Sequence, residues 1–394
     1  MKRLHGWTGG QFSLVRMIFA FYLGLHFVTL IPWGTEIFSN QGVLPRASMS
    51  PLMIFPNIFA LADGPFFVTA VLLSGVMFST MLFLGVKRRI AALFLWYIWA
   101  CLLGRNPLIL NPGIPFVGWM LLFCVALPSG ENLSFDAKNR KIQTPWFIPS
   151  PFIVVAWIVM AVGYSYSGIM KLDSPSWIDG SALLYVLESP LARPTLLRTW
   201  LTQLPLFLTL LTWSTLALEI AVAPLALWPR ARPYLWFALV SLHFGILLTI
   251  DFSDLTIAML MIHLLTFDPK WLKSMLPIAS QPRIAFDGNC GLCHGFVRFV
   301  IAEDKEKHFD FEPCGSHLSQ VEIRFSKSNI TLKGPQAVSY VLGQLGGLWV
   351  VLAWLINGTP TFISHWIYQK IASLRNAFPT FNKDQCPINV PNQK

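Results

Sequence analysis

Charge is scarce in this chain. Only 12% of its 394 residues are Asp, Glu, Lys or Arg, where a soluble domain carries about a quarter. That scarcity argues against an ordinary soluble enzyme, a nucleic-acid binder and a disordered tail protein. Acidic residues are scarcest, 19 against 29 basic ones, so the formal net charge is +10. The basic residues form no continuous aromatic–basic platform, so no nucleic-acid partner is expected. The sequence also lacks a Walker motif, a Rossmann fingerprint, a haem motif and an internal repeat, and no nucleotide or haem cofactor is expected. The first apolar run lacks a small-residue cleavage pattern and carries Arg16. It is expected to stay as a span, not to be removed as a signal.

What remains is apolar. Hydrophobic residues make up 54% of the chain, with 16 Trp and 31 Phe. The average hides a boundary: residues 281–394 carry 11 basic and 8 acidic residues, and the 280 before them only 18 and 11. A membrane region over 1–275, a linker at 276–281 and a small domain over 282–394 account for that shift. The fold class is then a polytopic α-helical membrane bundle with a C-terminal thioredoxin-like α/β domain. Apolar runs lie at 12–32, 65–85, 89–105, 113–128, 149–170, 204–228, 234–251 and 253–268. A helix needs about 20 residues to cross the hydrocarbon core, so the third, fourth and last runs are short.

Basic clusters follow alternate runs. Lys2 and Arg3, Lys87 to Arg89, Lys138 to Lys141, Arg230 with Arg232, and Lys270 with Lys273 all fall on one side of an eight-span bundle. The positive-inside rule makes that side cytoplasmic, with both termini and the C-terminal domain. A bacterial cytoplasmic membrane is the expected location, and the lipid bilayer the first partner. The connections 33–64 and 171–203 lie on the opposite side and are expected to roof a chamber over the bundle.

The fifth run ends in Tyr164-Ser165-Tyr166-Ser167-Gly168-Ile169-Met170-Lys171-Leu172-Asp173, followed by Trp177, Asp179 and Gly180. A lysine at the edge of an apolar helix either snorkels to the headgroups, pairs with a neighbour such as Asp173, or acts as a partly desolvated general base. The pattern Y-x-x-x-G-I-x-K-L-D-x-x-x-W-x-x-G resembles vitamin K-dependent gamma-carboxylases and their bacterial relatives, the HTTM family, over residues 8–270. The resemblance implies that Lys171 deprotonates a reduced quinone, and that Gly168, Trp177 and Gly180 shape the turn out of the helix. It implies a quinone or hydroquinone as cofactor. The large lumenal domain that binds propeptide and glutamyl substrate in the animal enzyme has no counterpart here, so full carboxylation is implied only weakly.

Other polar groups stand inside apolar runs: Arg16 and His26 in the first, Glu219 in the sixth, His243 in the seventh and His263 in the last, with Asp251 and Asp254 between the last two. Such groups either fix helix packing or line a working site. In the functional reading Glu219 and His243 face Lys171 around a quinone-sized pocket, with Trp177 beside them. The resemblance maps a family histidine onto His243.

Past the boundary, Arg283 to Phe286 reads as a strand, then comes Asp287-Gly288-Asn289-Cys290-Gly291-Leu292-Cys293-His294 and an amphipathic helix. Strand, turn, CxxC and helix is the setting of a thiol–disulfide pair. The helix N-terminus favours a thiolate there. Cys290 is expected to be the exposed attacking thiol and Cys293 the resolving one. Zinc is the competing use, with Cys314, His294, His317 and Cys386 available as further ligands; their scattered spacing favours redox chemistry. The motif D-G-x-C-x-x-C-x-x-x-V-R-F-V resembles the DCC family of predicted thiol–disulfide oxidoreductases over 282–387, including Cys386-Pro387 near its end. Asp287 then either relays a proton to the pair or caps the turn. Pro335 is a candidate cis-proline facing the cysteines.

These readings lead to a membrane redox enzyme with a quinone-like or other lipophilic substrate in the bundle and thiol–disulfide exchange in the C-terminal domain. A thioredoxin-like thiol reductant and a peptide or protein substrate are the expected partners. Gamma-carboxylase-like peptide modification is one alternative, and a scaffold or redox sensor without catalysis in the bundle is another. Lys171 and the cysteines are expected on opposite sides of roughly 30 Å of hydrocarbon, which separates their active sites.

Overall fold

The computed structural model describes residues 6–45, 55–139, 146–274, 282–314, 320–325 and 331–377. The chain forms two compact units. One holds Val15–Leu127 and Pro149–Phe267; the other holds the residues up to Leu14, Pro128–Ile148 and everything from Asp268 onward.

Each of the eight apolar runs is a helix: α1 Gly9–Leu30, α2 Pro65–Leu84, α3 Arg88–Arg105, α4 Gly113–Ala126, α5 Ser150–Lys171, α6 Pro205–Ala226, α7 Arg232–Thr249 and α8 Ser253–Thr266. Proline at the first or second position opens α2, α5, α6 and α7, where its fixed φ suits the first turn and its missing N–H costs nothing. Five helices, α1, α2, α5, α6 and α7, are long and apolar enough to cross a membrane. Helices α4 and α8 have 14 residues each, about 21 Å of rise against a core of about 30 Å. Phe21, Phe66, Leu206 and Phe237 point outward. Apolar surface on this scale needs lipid around it.

In the bundle, α5 packs most extensively on α6, and α8 bridges α4, α5 and α7. Three short helices, Pro175–Ile178, Ala182–Glu188 and Leu196–Thr202, make up the second long connection. Trp213 donates from Nε1 to the Ile178 carbonyl at 3.1 Å, and Leu183 N–H reaches Thr212 at 3.3 Å, which lays this connection along α6. Arg193 pairs with Asp251 at 3.1 Å, and the Arg193 N–H bonds the Thr249 carbonyl at 2.8 Å. Asp251 is thus an ion-pair partner for this connection.

Several basic residues read as topology markers or chamber groups have another use. Arg16 and Arg88 are fully buried. Arg16 donates to the carbonyls of Leu82 and Phe83, the last of α2. Arg88 donates to Cys124 and, at 3.0 Å, Leu127, and Arg89 to Val125 at 2.7 Å, all at the end of α4. The last carbonyls of a helix have no intrahelical donor and carry the negative end of its dipole. An arginine from a neighbouring helix satisfies both needs at once.

In the second unit, β1 Pro282–Asp287, β2 Asp310–Cys314, β3 Glu322–Phe325 and β4 Thr331–Lys333 form one sheet in the order β2-β1-β3-β4. Strand β2 runs parallel to β1, while β3 is antiparallel to both β1 and β4. The parallel pair needs a crossover, supplied by α9 Gly291–Glu303. Helices α10 Pro335–Leu345, α11 Leu348–Gly358 and α12 Thr361–Ser373 follow. This is a thioredoxin-like arrangement, with Ile284, Val300, Phe309, Ile323 and Val341 in its core. Pro335 is the first residue of α10, and no cis peptide occurs among the described residues. The linker 276–281, His317 and Cys386 lie outside them.

Glu303 ends α9 and is 2% exposed. A carboxylate there opposes the helix dipole and is costly to bury unless hydrogen-bonded. It accepts from the Gly10 N–H at 2.9 Å, Asn132 Nδ2 at 2.6 Å, Trp349 Nε1 at 2.9 Å and the Thr8 hydroxyl.

Candidate functional site

In the bundle unit, Lys171 ends α5 and pairs with Glu219 in the second half of α6. Its Nζ lies 2.5 Å from both carboxylate oxygens. Trp177, from the short helix after α5, places its ring 4.5 Å below the ammonium. The lysine therefore turns inward to Glu219 in place of Asp173 or the headgroups. Gly168 makes this possible: a Cβ there would stand 2.8 Å from the Ile220 backbone nitrogen, so only glycine lets α5 and α6 approach this closely. Ser165 reinforces the contact by donating to the Ile220 carbonyl at 3.0 Å and accepting the Ala223 N–H at 2.9 Å. Gly180 has φ +86 and faces Thr209, a conformation that favours glycine.

His243, expected to face Lys171, lies on α7, and its direct partner is Tyr164. The Tyr164 hydroxyl is 2.5 Å from His243 Nε2 and 2.8 Å from His263 Nε2. All three side chains are buried. Trp236 holds α7 to α8 by donating from Nε1 to the His263 carbonyl at 2.7 Å. Tyr164 and Lys171 lie on the same helix, seven residues apart, so the two clusters sit on one face of α5. Tyr164, to which sequence reasoning gave no role, and His263, weighed there only as a packing or chamber group, belong to this site. The only signal for Tyr164 was its place in the quoted motif, and for His263 its place in an apolar run.

The remaining intramembrane groups sit apart from this constellation. His26 Nδ1 and the Tyr22 hydroxyl meet Asp254 at 3.0 and 2.9 Å. An apolar cavity of about 240 Å³ lies between α4 and the start of α5, lined by Trp119, Phe123, Pro151, Phe152 and Val155. It adjoins the opposite end of α5 from Lys171.

In the second unit, β1 ends at Asp287 and the chain turns sharply. Asn289 N–H donates to Asp287 Oδ1 at 2.9 Å, so the Asp287 side chain caps this turn. Its charge also acts on Cys293. Cys290 is the N-cap of α9, and its sulfur accepts the Cys293 N–H at 3.3 Å. Both cysteines are free. Burial, a hydrogen bond to Cys290 and the charges of Cys290 and Asp287 push the Cys293 thiol up to about 12. The pair is therefore asymmetric: the Cys290 sulfur receives hydrogen bonds and Cys293 holds its proton. The expected exposure is reversed, however. Cys290 is buried and Cys293 half-buried, because an N-cap sulfur turns back over the first helical turn.

His294 is buried beneath the pair, with Nε2 2.8 Å from the Gly288 carbonyl. Tyr368 of α12 senses the charge of both cysteines, and Arg375 acts on Cys293. Neither was legible in the sequence, since they follow the motif by some 75 residues or more. Among the described residues no group of three or more His, Cys, Asp or Glu side chains is placed to hold a metal ion.

Residues 12–271 match the HTTM domain, and residues 284–380 match the DCC1-like thiol-disulfide oxidoreductase family. No curated protein and no solved structure matches the chain significantly. The buried lysine–glutamate pair lies inside the first match and the N-cap cysteine inside the second. With the first match covering well over half its length, the chain belongs to the HTTM family of membrane proteins and carries a DCC1-like thiol-disulfide oxidoreductase domain at its C-terminal end.

Proposed function

We propose that this protein is a membrane-bound thiol–disulfide oxidoreductase in which Cys290 attacks and Cys293 resolves. The observation that carries the reading is the Cys290 sulfur at the N-terminus of α9, accepting the Cys293 amide. The Cys290 thiolate attacks one sulfur of a substrate disulfide, and the other sulfur leaves as a thiolate. Cys293 then gives up its proton, and its sulfur attacks Cys290 in the mixed disulfide. The second substrate thiolate departs. The substrate disulfide gains two electrons and two protons, and the cysteine pair is oxidised to a disulfide. A thioredoxin-like dithiol resets the pair by the same exchange in reverse. Asp287 holds the turn that presents Cys290 and is the acid nearest in sequence for a proton relay.

The test is a purified full-length chain in detergent with a small aromatic disulfide as probe. Cys293→Ser accumulates a mixed disulfide on Cys290, and the double Ser variant reduces nothing. Wild-type rates in the double variant would remove the reading and leave a scaffold.

For the bundle, the reading is a site for a lipophilic, quinone-like substrate beside Lys171 and Glu219. The residues fit a planar carbonyl headgroup: two of the three ammonium protons are taken by Glu219 and one remains to donate, with the Trp177 ring alongside. A quinone bound there would supply two-electron acceptance. Glu219 and the Trp177 ring flank the Lys171 amine, and His243 extends the polar surface. The basic clusters on one side of the bundle support an orientation with both termini and the cysteine domain on the cytoplasmic side of a bacterial membrane.

A further inference from the structure

The polar triad in the bundle has a hydrogen-bond pattern with two equivalent solutions. The Tyr164 hydroxyl has one proton and two imidazole nitrogens against it, His243 Nε2 at 2.5 Å and His263 Nε2 at 2.8 Å. It donates to one and accepts from the other. One neutral imidazole therefore carries its proton on Nδ1 and the other on Nε2. The residues are 4% and 1% exposed, and neither Nδ1 has a hydrogen-bond partner among the described residues. One Nδ1 is a buried donor and the other a buried acceptor. Packing alone does not favour that outcome, because each unpaired group is costly away from water.

We propose that Tyr164, His243 and His263 form a proton relay that serves the Lys171–Glu219 pair, with water as the ligand at each outer imidazole nitrogen. A proton arrives at the bare Nδ1 of one ring. That ring passes its Nε2 proton to the tyrosine oxygen, and the hydroxyl passes its own proton to the second ring. The second ring releases its Nδ1 proton. One proton enters, one leaves, and every group ends neutral in the mirror-image arrangement. Tyr164 and Lys171 stand seven residues apart on α5, about two turns, so the relay and the ion pair share one face of that helix. Trp236 fixes the His263 backbone, which holds its ring at the tyrosine. This inference rests on the reading of Lys171–Glu219 as the reactive pair of the bundle; within it, the triad replaces a proton that the ammonium gives away.

The test is nitrogen NMR of the full chain, labelled with 15N-histidine, in lipid nanodiscs. His243→Asn and His263→Asn assign the two rings. The expected result is opposite tautomers that exchange with each other in wild type. In Tyr164→Phe the exchange slows by about a hundredfold or more, the scale of losing a positioned proton-transfer group. The same tautomer in both rings of the wild type would overturn the relay without needing any folded variant at Tyr164. So would opposite tautomers that never exchange, or exchange unchanged in Tyr164→Phe. Lys171→Met tells the two readings apart. Continued Tyr164-dependent exchange in that variant upholds the relay, and unaltered binding of a short-chain ubiquinone there removes the pair as its reactive site.

Discussion

The two units use opposite ends of their helices. In the bundle, the ends of α2 and α4 are closed by arginines from neighbouring helices, and two of those cations, Arg16 and Arg88, vanish from the surface. In the thioredoxin-like unit, the start of α9 is left to a cysteine sulfur. Both exploit backbone groups that a helix cannot satisfy itself. Closing the carbonyl end with a guanidinium makes a permanent joint, since arginine never loses its proton. Closing the amide end with sulfur makes a reactive one, since sulfur exchanges protons and partners. The same orphan backbone groups thus yield architecture in one unit and chemistry in the other.

The largest effect tests the reactive end. Cys290→Ser removes disulfide exchange down to the background rate, measured by release of the thiol from an aromatic disulfide probe. Next comes the ion pair in the bundle. Glu219→Gln leaves Lys171 without its carboxylate and lowers stability by about 2–3 kcal/mol, below the range for a fully buried pair because the lysine side chain is 24% exposed. The double variant with Lys171→Met recovers most of that loss, as read by thermal unfolding in detergent. An additive double variant would show that the two residues do not form a unit.

A smaller effect separates the arginines. Arg88→Met strands two helix-end carbonyls and costs about 1–3 kcal/mol, whereas Arg283→Met at an exposed position of β1 stays within about 0.5 kcal/mol. Equal losses would erase the distinction between a joint and a surface charge. The smallest effect concerns alkali. An unfolded Cys293 loses its proton near 9.0 and the folded one near 12. Between those values the folded state binds more protons, so stability falls as pH rises. Below 9.0 this contribution is flat. Cys293→Ser flattens the alkaline slope of thermal unfolding, and an unchanged slope would assign it elsewhere.

Much of the scaffold was legible because apolar runs and helices obey the same length rule. Every run between 12 and 268 became a helix, and the strand–CxxC–helix reading placed β1 and α9. What hydropathy does not show is where a charge points. Arg88 looked like a topology marker because a guanidinium reaching carbonyls and one reaching water have the same sequence. Tyr164 escaped notice because its two partners come from helices about 80 and 100 positions away and a hydroxyl disturbs an apolar run very little. Cys290 was expected at the surface from its chemistry, but N-cap geometry tucks the sulfur under the turn. Lys171 with Glu219 was anticipated as a facing pair because a lone acid in an apolar helix demands a partner.

Glu303 carries a consequence for how the chain is made. Its contact with Thr8 spans 295 positions. At about 5–20 residues per second, roughly 15–60 s of translation separate the two ends of that bond. The Trp349 donor is made later still. The segment around Thr8 therefore waits for its acceptor while every helix of the bundle is synthesised and inserted. Its donors are satisfied only once the cysteine helix has been completed. Truncated chains would carry that defect from their first turn onward, and quality-control proteases would meet it there.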